Sequence, residues 1–305
     1  MRNYLSALLL LLTAASCRRT DNTMEAPPYE PPRLLQVVGI DSTRAVPNDT
    51  ISRVSYIYDA QGRTTEVHSV QLRGARDTSS YTRQLIDYAG GDTLASRSLV
   101  MTRATGADTR FDTIYYGHRN GVRVYDSIRT AFASGMTATR VRRRTFTATH
   151  VIDSVTLVQD DGVSGPDSTY EVRRIWQQRV GIYFLRQLDS TVAQGPLLQT
   201  FRRQELNVTP SVIPNPVYRA LRGITDVVAD EQTSTFPDTW ALQYLPEATL
   251  SSHKSWEAGM PGSVERTEST TYQVTTDNSS FPVRMTVRRT VGSAVSVRYY
   301  RFLYR

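Results

Sequence analysis

A single cysteine, Cys17, stands in 305 residues. The chain therefore cannot build an internal disulfide framework, and no thiolate zinc or iron–sulfur site can form within it. Lysine is almost missing: Lys254 is the only one among the 36 basic residues. Histidine occurs four times, at His68, His118, His150 and His253, and never as H-E-x-x-H, H-x-H or another short ligand spacing. No G-x-S-x-G, G-x-G-x-x-G or G-x-x-x-x-G-K-[ST] is present, which removes the usual nucleophile elbow and phosphate cradles. S-x-x-K is discounted, because Ser251, Ser252 and His253 alone precede Lys254 and the order Ser252-His253-Lys254 is too short for a triad on a strand. Long apolar runs are missing too. The longest, Leu5 to Leu12, falls well short of the about 20 residues that a spanning helix needs.

What is there begins with a targeting segment. Arg2 supplies a positive start, Leu5–Leu12 an apolar centre, and Thr13, Ala14, Ala15 and Ser16 a small-residue end. That is the order of a signal peptide over residues 1–16. The small residues lead directly into Cys17, and this junction resembles the lipobox of bacterial lipoproteins. The resemblance implies cleavage before Cys17 and a lipid on the new N-terminal cysteine. Ala14 holds the place where that family prefers leucine, as relaxed Bacteroidota-like versions do. An ordinary secretory signal, cut near Ala15 or Ser16, would instead leave an exposed thiol in an oxidising compartment. Arg18 and Arg19 depart from the acidic export signal of surface lipoproteins. The implied location is the envelope, at the outer membrane, on a face that the sequence leaves open.

Residues 17–33 read as the lipidated cysteine and a stiff tether. Pro27, Pro28, Pro31 and Pro32 favour extended chain and exclude a helix. Cleavage removes Arg2 and leaves a mild excess of basic over acidic residues. Nucleic acid is therefore excluded as a partner class. Arg140, Arg142 and Arg144 share one strand face by the two-residue period, read as a solvated sheet face.

The body reads as all-β. Alternating runs rich in Val, Thr, Tyr and Arg recur at Ser52–Tyr58, Arg63–Val70, Tyr81–Tyr88, Ala95–Thr102, Arg110–Tyr116, Val122–Ile128, Thr137–Ala148, His150–Gln159, Ser168–Gln177, Val180–Leu188 and Leu197–Leu206. They resume at Val264–Thr275, Val283–Thr290 and Ser293–Tyr304. No long 3.6-residue period intervenes, so the expectation is a long antiparallel meander of hairpins that could curve strongly into a half-barrel. Residues 34–206 form the sheet body and 251–305 complete it. Residues 207–250 hold Pro210, Pro214, Pro216, Pro237 and Pro246 and read as a connector or lid, with short helical turns within Val217–Ala229.

One turn stands out. Tyr56-Ile57-Tyr58-Asp59-Ala60-Gln61-Gly62-Arg63 has the form Y-x-Y-D-x-x-G-R, in which Asp59 can cap the turn and Gly62 can take positive φ. Looser relatives are Tyr115 to Gly121 and Tyr272 to Asn278. The motif resembles the YD repeat. With the lipobox, the Asn215-Pro216-Val217-Tyr218 segment and the tyrosine-rich last strand, the chain resembles Bacteroidota-type lipoproteins of the DUF4595-like, YD-repeat-containing kind. The resemblance implies fold and location over most of residues 50–305, and no activity.

Sites of chemistry are expected nowhere: no catalytic residue, cofactor or metal ligand emerges. Asp160-Asp161-Gly162 with Asp167 fails the EF-hand spacing. Asp226, Asp230 and Glu231 read as solvated loop. The expected function is a non-catalytic, lipid-anchored envelope protein with a binding or structural role, whose partners are the membrane and an envelope protein, glycan or lipid ligand. The alternative is a carrier of lipid or another apolar ligand, which requires an empty apolar cavity on the concave face.

Overall fold

The computed structural model of the protein describes residues 32–41, 49–73, 77–146, 150–160, 166–177, 183–193, 199–221, 224, 243–257 and 264–305, with backbone alone at 41, 49, 73, 122, 210 and 249 and across 146–207 and 251–266. The strands in order are β1 (Leu34–Asp41), β2 (Asp49–Tyr58), β3 (Thr64–Arg73), β4 (Asp77–Tyr88), β5 (Ala95–Ala104), β6 (Arg110–Arg119), β7 (Val122–Phe132) and β8 (Thr137–Phe146). They continue as β9 (His150–Asp160), β10 (Pro166–Gln177), β11 (Tyr183–Ala193), β12 (Gln199–Pro214), β13 (Tyr244–Glu257), β14 (Val264–Thr276), β15 (Pro282–Val291) and β16 (Ala294–Tyr304). One short helix, α1 (Pro216–Ala220), lies between β12 and β13.

Each strand pairs antiparallel with its neighbours in sequence, as a meander requires. β1 pairs in addition with β16, from Leu34 opposite Tyr304 to Ile40 opposite Tyr299, so the sheet closes into a barrel. Closure goes further than a half-barrel and removes the free edges that an open meander would present.

Two strands and one boundary differ from the sequence reading. β1 reads LLQVVGID, a run without clean alternation, and its register shifts against both neighbours, between Leu34 and Gln36 and between Gly39 and Ile40. The shifts change which residues face which side, so the period of two is hidden. β12 runs on to Pro214 and β13 begins at Tyr244, so the connector is confined to residues 215–243. The prolines that suggested a break sit at irregularities of the ladder, between Thr209 and Pro210 and between Pro210 and Pro214, which is where a sheet tolerates them.

Both chain ends of the barrel meet at one end, called here the near end, where the Arg305 N–H donates to the Arg33 carbonyl at 3.0 Å. Three strand ends there are closed by the same device. Tyr58, last in β2, donates its hydroxyl to the carbonyl of Leu34, first in β1 (2.7 Å). Tyr88, last in β4, donates to Thr64, first in β3 (2.8 Å), and Tyr304, last in β16, to Pro282, first in β15 (2.7 Å).

The near-end turns share a geometry as well. In the first, the Asp59 N–H donates to the Arg63 carbonyl and the Gly62 N–H to the Asp59 carbonyl, both at 3.0 Å. Asp59 Oδ1 accepts the Arg63 N–H at 2.8 Å and Oδ2 its Nε at 2.7 Å. Gly62 has φ +80°. The turn after β14 repeats this pattern. Asp277 N–H donates to Phe281 at 2.8 Å, Ser280 N–H to Asp277 at 3.2 Å, and Asp277 Oδ1 accepts the Phe281 N–H at 2.9 Å. Ser280 holds the place of Gly62, with φ +64°. Between β6 and β7 the two-residue turn Asn120-Gly121 has both φ values positive, the twist that a tight hairpin requires.

Candidate functional site

Strand parity divides the side chains of a closed barrel into an inner and an outer set, and the connector identifies the inner one. Residues from β1, β2 and β14–β16 (Val37, Tyr56, Tyr272, Met285, Tyr300, Phe302) form one buried cluster with Val217, Ala220 and Leu221 of the connector. The same connector is held from β3, where Thr64 Oγ1 donates to the Ala220 carbonyl, and from β7, where Arg123 Nη1 donates to the Ile224 carbonyl at 2.7 Å. A segment that touches β1–β3, β7 and β14–β16 on one set of faces lies inside the barrel, as a plug at the near end.

The plug has its own folding logic. Asn215 is fully buried, and its Oδ1 accepts the N–H groups of Val217 (3.0 Å) and Tyr218 (3.3 Å). Those would otherwise be orphaned donors of the first helical turn. Pro216 stands at the first helical position, where its missing N–H costs nothing. The Asn215 N–H donates to Gln243 at 2.9 Å, pinning the two ends of the connector together.

The inner face of β6–β8 is charged. Asp126 is 2 % exposed, and its Oδ2 accepts Arg142 Nε at 2.6 Å and Arg123 Nη2 at 2.9 Å. Asp126 Oδ1 is buried and accepts no hydrogen bond. Arg123 also lies over the Tyr116 ring, 4.4 Å from its centroid. Asp112, equally buried, accepts Arg110 Nε at 2.8 Å and Thr130 Oγ1 at 2.5 Å. Arg140, Arg142 and Arg144 do share one face of β8, as their spacing requires, but that face is the inner one. Arg142 and Arg144 are buried. The reading of a solvated face is corrected: the lumen wall on this side carries arginines around two aspartates, with buried Ile114 and Ile128 among them. Register also sets Asp153 of β9 opposite Arg144.

The outer face carries charge too. Glu66 pairs with Arg83 and with His68 Nε2 (2.5 Å), and Arg97 Nη2 pairs with Asp87 at 2.6 Å. The bonds from Arg83 and His68 hold the Glu66 carboxyl below its ordinary range. His68 meets the edge of the Tyr81 ring at 6.0 Å. His118 ends β6, His150 opens β9 and His253 lies within β13, so the strands hold the four histidines apart. Among the described residues no group of three His, Cys, Asp or Glu could hold a metal ion. No helix among them is long and apolar enough to cross a membrane. The spacing Ser251-x-x-Lys254 is in fact present, but it falls inside β13, and positions three apart on a strand belong to opposite faces.

No family model matches the chain, and no curated protein does. Solved structures similar in outline include two porin-like proteins. A porin-like protein from Bacteroides uniformis is 14% identical, with a TM-score of 0.47, over 91% of this chain and 99% of that one. A porin-like protein from Bacteroides vulgatus is 10% identical, with a TM-score of 0.41, over 90% and 99%.

Of the residues singled out from sequence, Asp59 and Gly62 form the first near-end turn. Arg63, beside them, extends the turn by donating to the Gly90 and Asp92 carbonyls at 2.9 Å each. Cys17 and the leader, Asp161, Gly162, Asp226, Asp230 and Glu231 lie outside the described residues. Sequence reasoning missed Asp112 and Asp126, whose signal was their place in alternating strands beside arginine. It missed the closing tyrosines too, although tyrosine ends β2, β4 and β16 alike.

Proposed function

We propose that this chain is a lipid-anchored, water-exposed barrel of the cell envelope, with a non-catalytic binding or structural role and a lumen closed by its own connector. One observation carries the choice of water over lipid for the barrel wall. Exposed arginines stand on the outer face of β2 (Arg53), β4 (Arg83), β7 (Arg129), β8 (Arg143), β15 (Arg288) and β16 (Arg301). A lipid-facing arginine near the bilayer midplane costs about 2–4 kcal/mol. Six at mid-strand would cost roughly 10 kcal/mol or more, comparable to the whole stability of a domain, about 5–15 kcal/mol. A water-facing wall incurs no such cost. Attachment then falls to the lipid on Cys17.

The plugged, aromatic-filled near end and the charged wall of β6–β8 favour this reading over a carrier of apolar ligand, which needs an empty apolar cavity. They leave the outer surface as the place for a partner: an envelope protein, a glycan or a lipid headgroup. Two measurements test the proposal. Metabolic labelling with a clickable fatty acid should tag the wild-type protein and not Cys17→Ala. Native mass spectrometry after gentle extraction should show no bound apolar ligand that lacks a charged headgroup. Equal labelling of the variant defeats the anchor, and a stoichiometric, releasable apolar ligand without a headgroup defeats the closed lumen.

A further inference from the structure

We propose that the outer face of β1, β16, β15 and β14 carries a phosphate-binding groove built on Arg284 and Arg301. Two adjacent rows of the sheet form it. One row reads Val38, Arg301, Arg284 and Thr275 across the four strands, and the next Ile40, Tyr299, Thr286 and Gln273. Both rows apart from Val38, together with Met285 and Tyr300 between them, line a concavity of about 390 Å³, within the size range of small-ligand sites. Ile40, which stands opposite Tyr299 at the register shift of β1, is only 6% exposed, whereas Tyr299 is 37% exposed. The groove thus has an apolar end beside a ring that is open to solvent.

The charge arrangement is what demands a ligand. Arg284 and Arg301 are directly opposite each other on neighbouring strands. Like charges so placed repel, their β-carbons only about 4.5–5.5 Å apart. Two other outer arginines are matched, Arg97 by Asp87 across the strand pair and Arg83 by Glu66 on the diagonal, and neither faces a second arginine. Among the described residues, the side chain of neither Arg284 nor Arg301 has an ion-pair or hydrogen-bond partner. No acidic side chain stands on the outer face of the described parts of β14, β15 and β16. The polar side chains of the two outer rows that line the concavity all donate or can donate: two guanidiniums, the Gln273 amide and the hydroxyls of Thr275, Thr286 and Tyr299.

Paired guanidiniums with neutral donors around them fit an anion whose several oxygens can be shared between two forks. A phosphate has enough oxygens for both arginines. A carboxylate has two and serves one fork. The volume leaves room for a glycerol- or sugar-sized group beside the phosphate, against Tyr299 and Ile40. Soluble phosphate esters and phospholipid headgroups share this chemistry.

The test is calorimetric titration of the full-length protein in neutral detergent with inorganic phosphate, glycerol 3-phosphate and acetate. Saturable binding of the two phosphates is expected, weakened about tenfold or more in Arg284→Gln and in Arg301→Gln. It should change less than about twofold in Arg103→Gln, an exposed arginine on β5 away from the groove. Without ligand, the two groove variants should unfold at temperatures no lower than wild type, since each relieves a repulsion. That separates lost binding from lost folding. Mixed micelles containing phosphatidylglycerol or phosphatidylcholine distinguish the sources. Tighter binding to phosphatidylglycerol than to glycerol 3-phosphate, lost in both groove variants, assigns a headgroup, and no such gain assigns a soluble ester. Absence of saturable heat, acetate binding as tight as phosphate, or phosphate affinity unchanged in both groove variants overturns the proposal.

Discussion

Replacing Asp126 with alanine probes the lumen most sharply. The carboxylate is buried and lies between two buried guanidiniums, Arg142 at 2.6 Å and Arg123 at 2.9 Å. Removing one partner of a buried pair costs about 3–5 kcal/mol, because the remaining charge is left in a medium that solvates it poorly. Arg123 keeps its bond to the Ile224 carbonyl and its contact with Tyr116, which places the expected loss at the lower end, about 3 kcal/mol. Asp126→Asn keeps an acceptor oxygen and should lose about 2 kcal/mol. Urea titration followed by circular dichroism reads both as lower midpoints at unchanged slope. The double variant Asp126→Ala/Arg142→Met should show a coupling energy above about 1 kcal/mol. A loss below about 1 kcal/mol for the alanine variant, with no coupling, would mean that water already solvates the cluster. The lumen would then be an open, wet channel, and the reasoning that it is packed would fail.

Three further perturbations follow from the same structure. Asn215→Ala removes the cap of the plug and strands two N–H groups, so stability should fall by about 1–3 kcal/mol. Limited proteolysis should then cut first within residues 215–243, and an unchanged digestion pattern would contradict the plug. The two homologous turns should respond in opposite directions. Gly62→Ala forces a side chain onto φ +80° with its Cβ 2.8 Å from Arg33 Nη2 and should cost about 1–2 kcal/mol. Ser280→Gly should gain up to about 1 kcal/mol, so equal signs in thermal melts would contradict the matched geometry. Stability should also fall at both ends of the pH scale. For Asp59, desolvation pushes the carboxyl up but the bonds from Arg63 outweigh it, and Glu66 is lowered by Arg83 and His68. Their contribution is complete above the ordinary carboxylate values and is lost as pH falls through the lower folded ones. Burial pushes Tyr58 and Tyr88 up to about 12 and raises Tyr56, Tyr300 and Tyr304 as well. That contribution is complete below pH 10 and is lost as pH rises through the folded values. Phenolate absorbance should therefore show a delayed group of tyrosines that ionise together with unfolding. A single titration at the free value would contradict it.

Strand existence was legible because most strands here have one wet and one covered face, so alternation persists across turns marked by Asp, Asn and Gly. β1 escaped because its bulges break the alternation, and the ends of β12 and β13 because prolines at ladder irregularities read as breaks. The near-end turns were legible in detail: Asp59 and Gly62 act through local chemistry, which spacing alone determines. The arginine stripe shows the opposite limit. A period of two says that Arg140, Arg142 and Arg144 share a face, but not which face is inside. Only closure by β1 on β16, and a plug reaching Thr64 and Arg123, decides that. The Arg284–Arg301 groove was beyond reach for the same reason, since cross-strand register brings together residues 17 positions apart.

The central claim is that the barrel stands in water and only its N-terminal lipid holds it to a membrane. Full-length Cys17→Ala, exported in a bacterial host and fractionated without detergent, tests this most directly. The account predicts a folded, β-rich protein in the soluble fraction, while the wild type sediments with membranes. If the variant remains in the membrane pellet after carbonate washing and needs detergent to leave it, the wall faces lipid and the account is wrong.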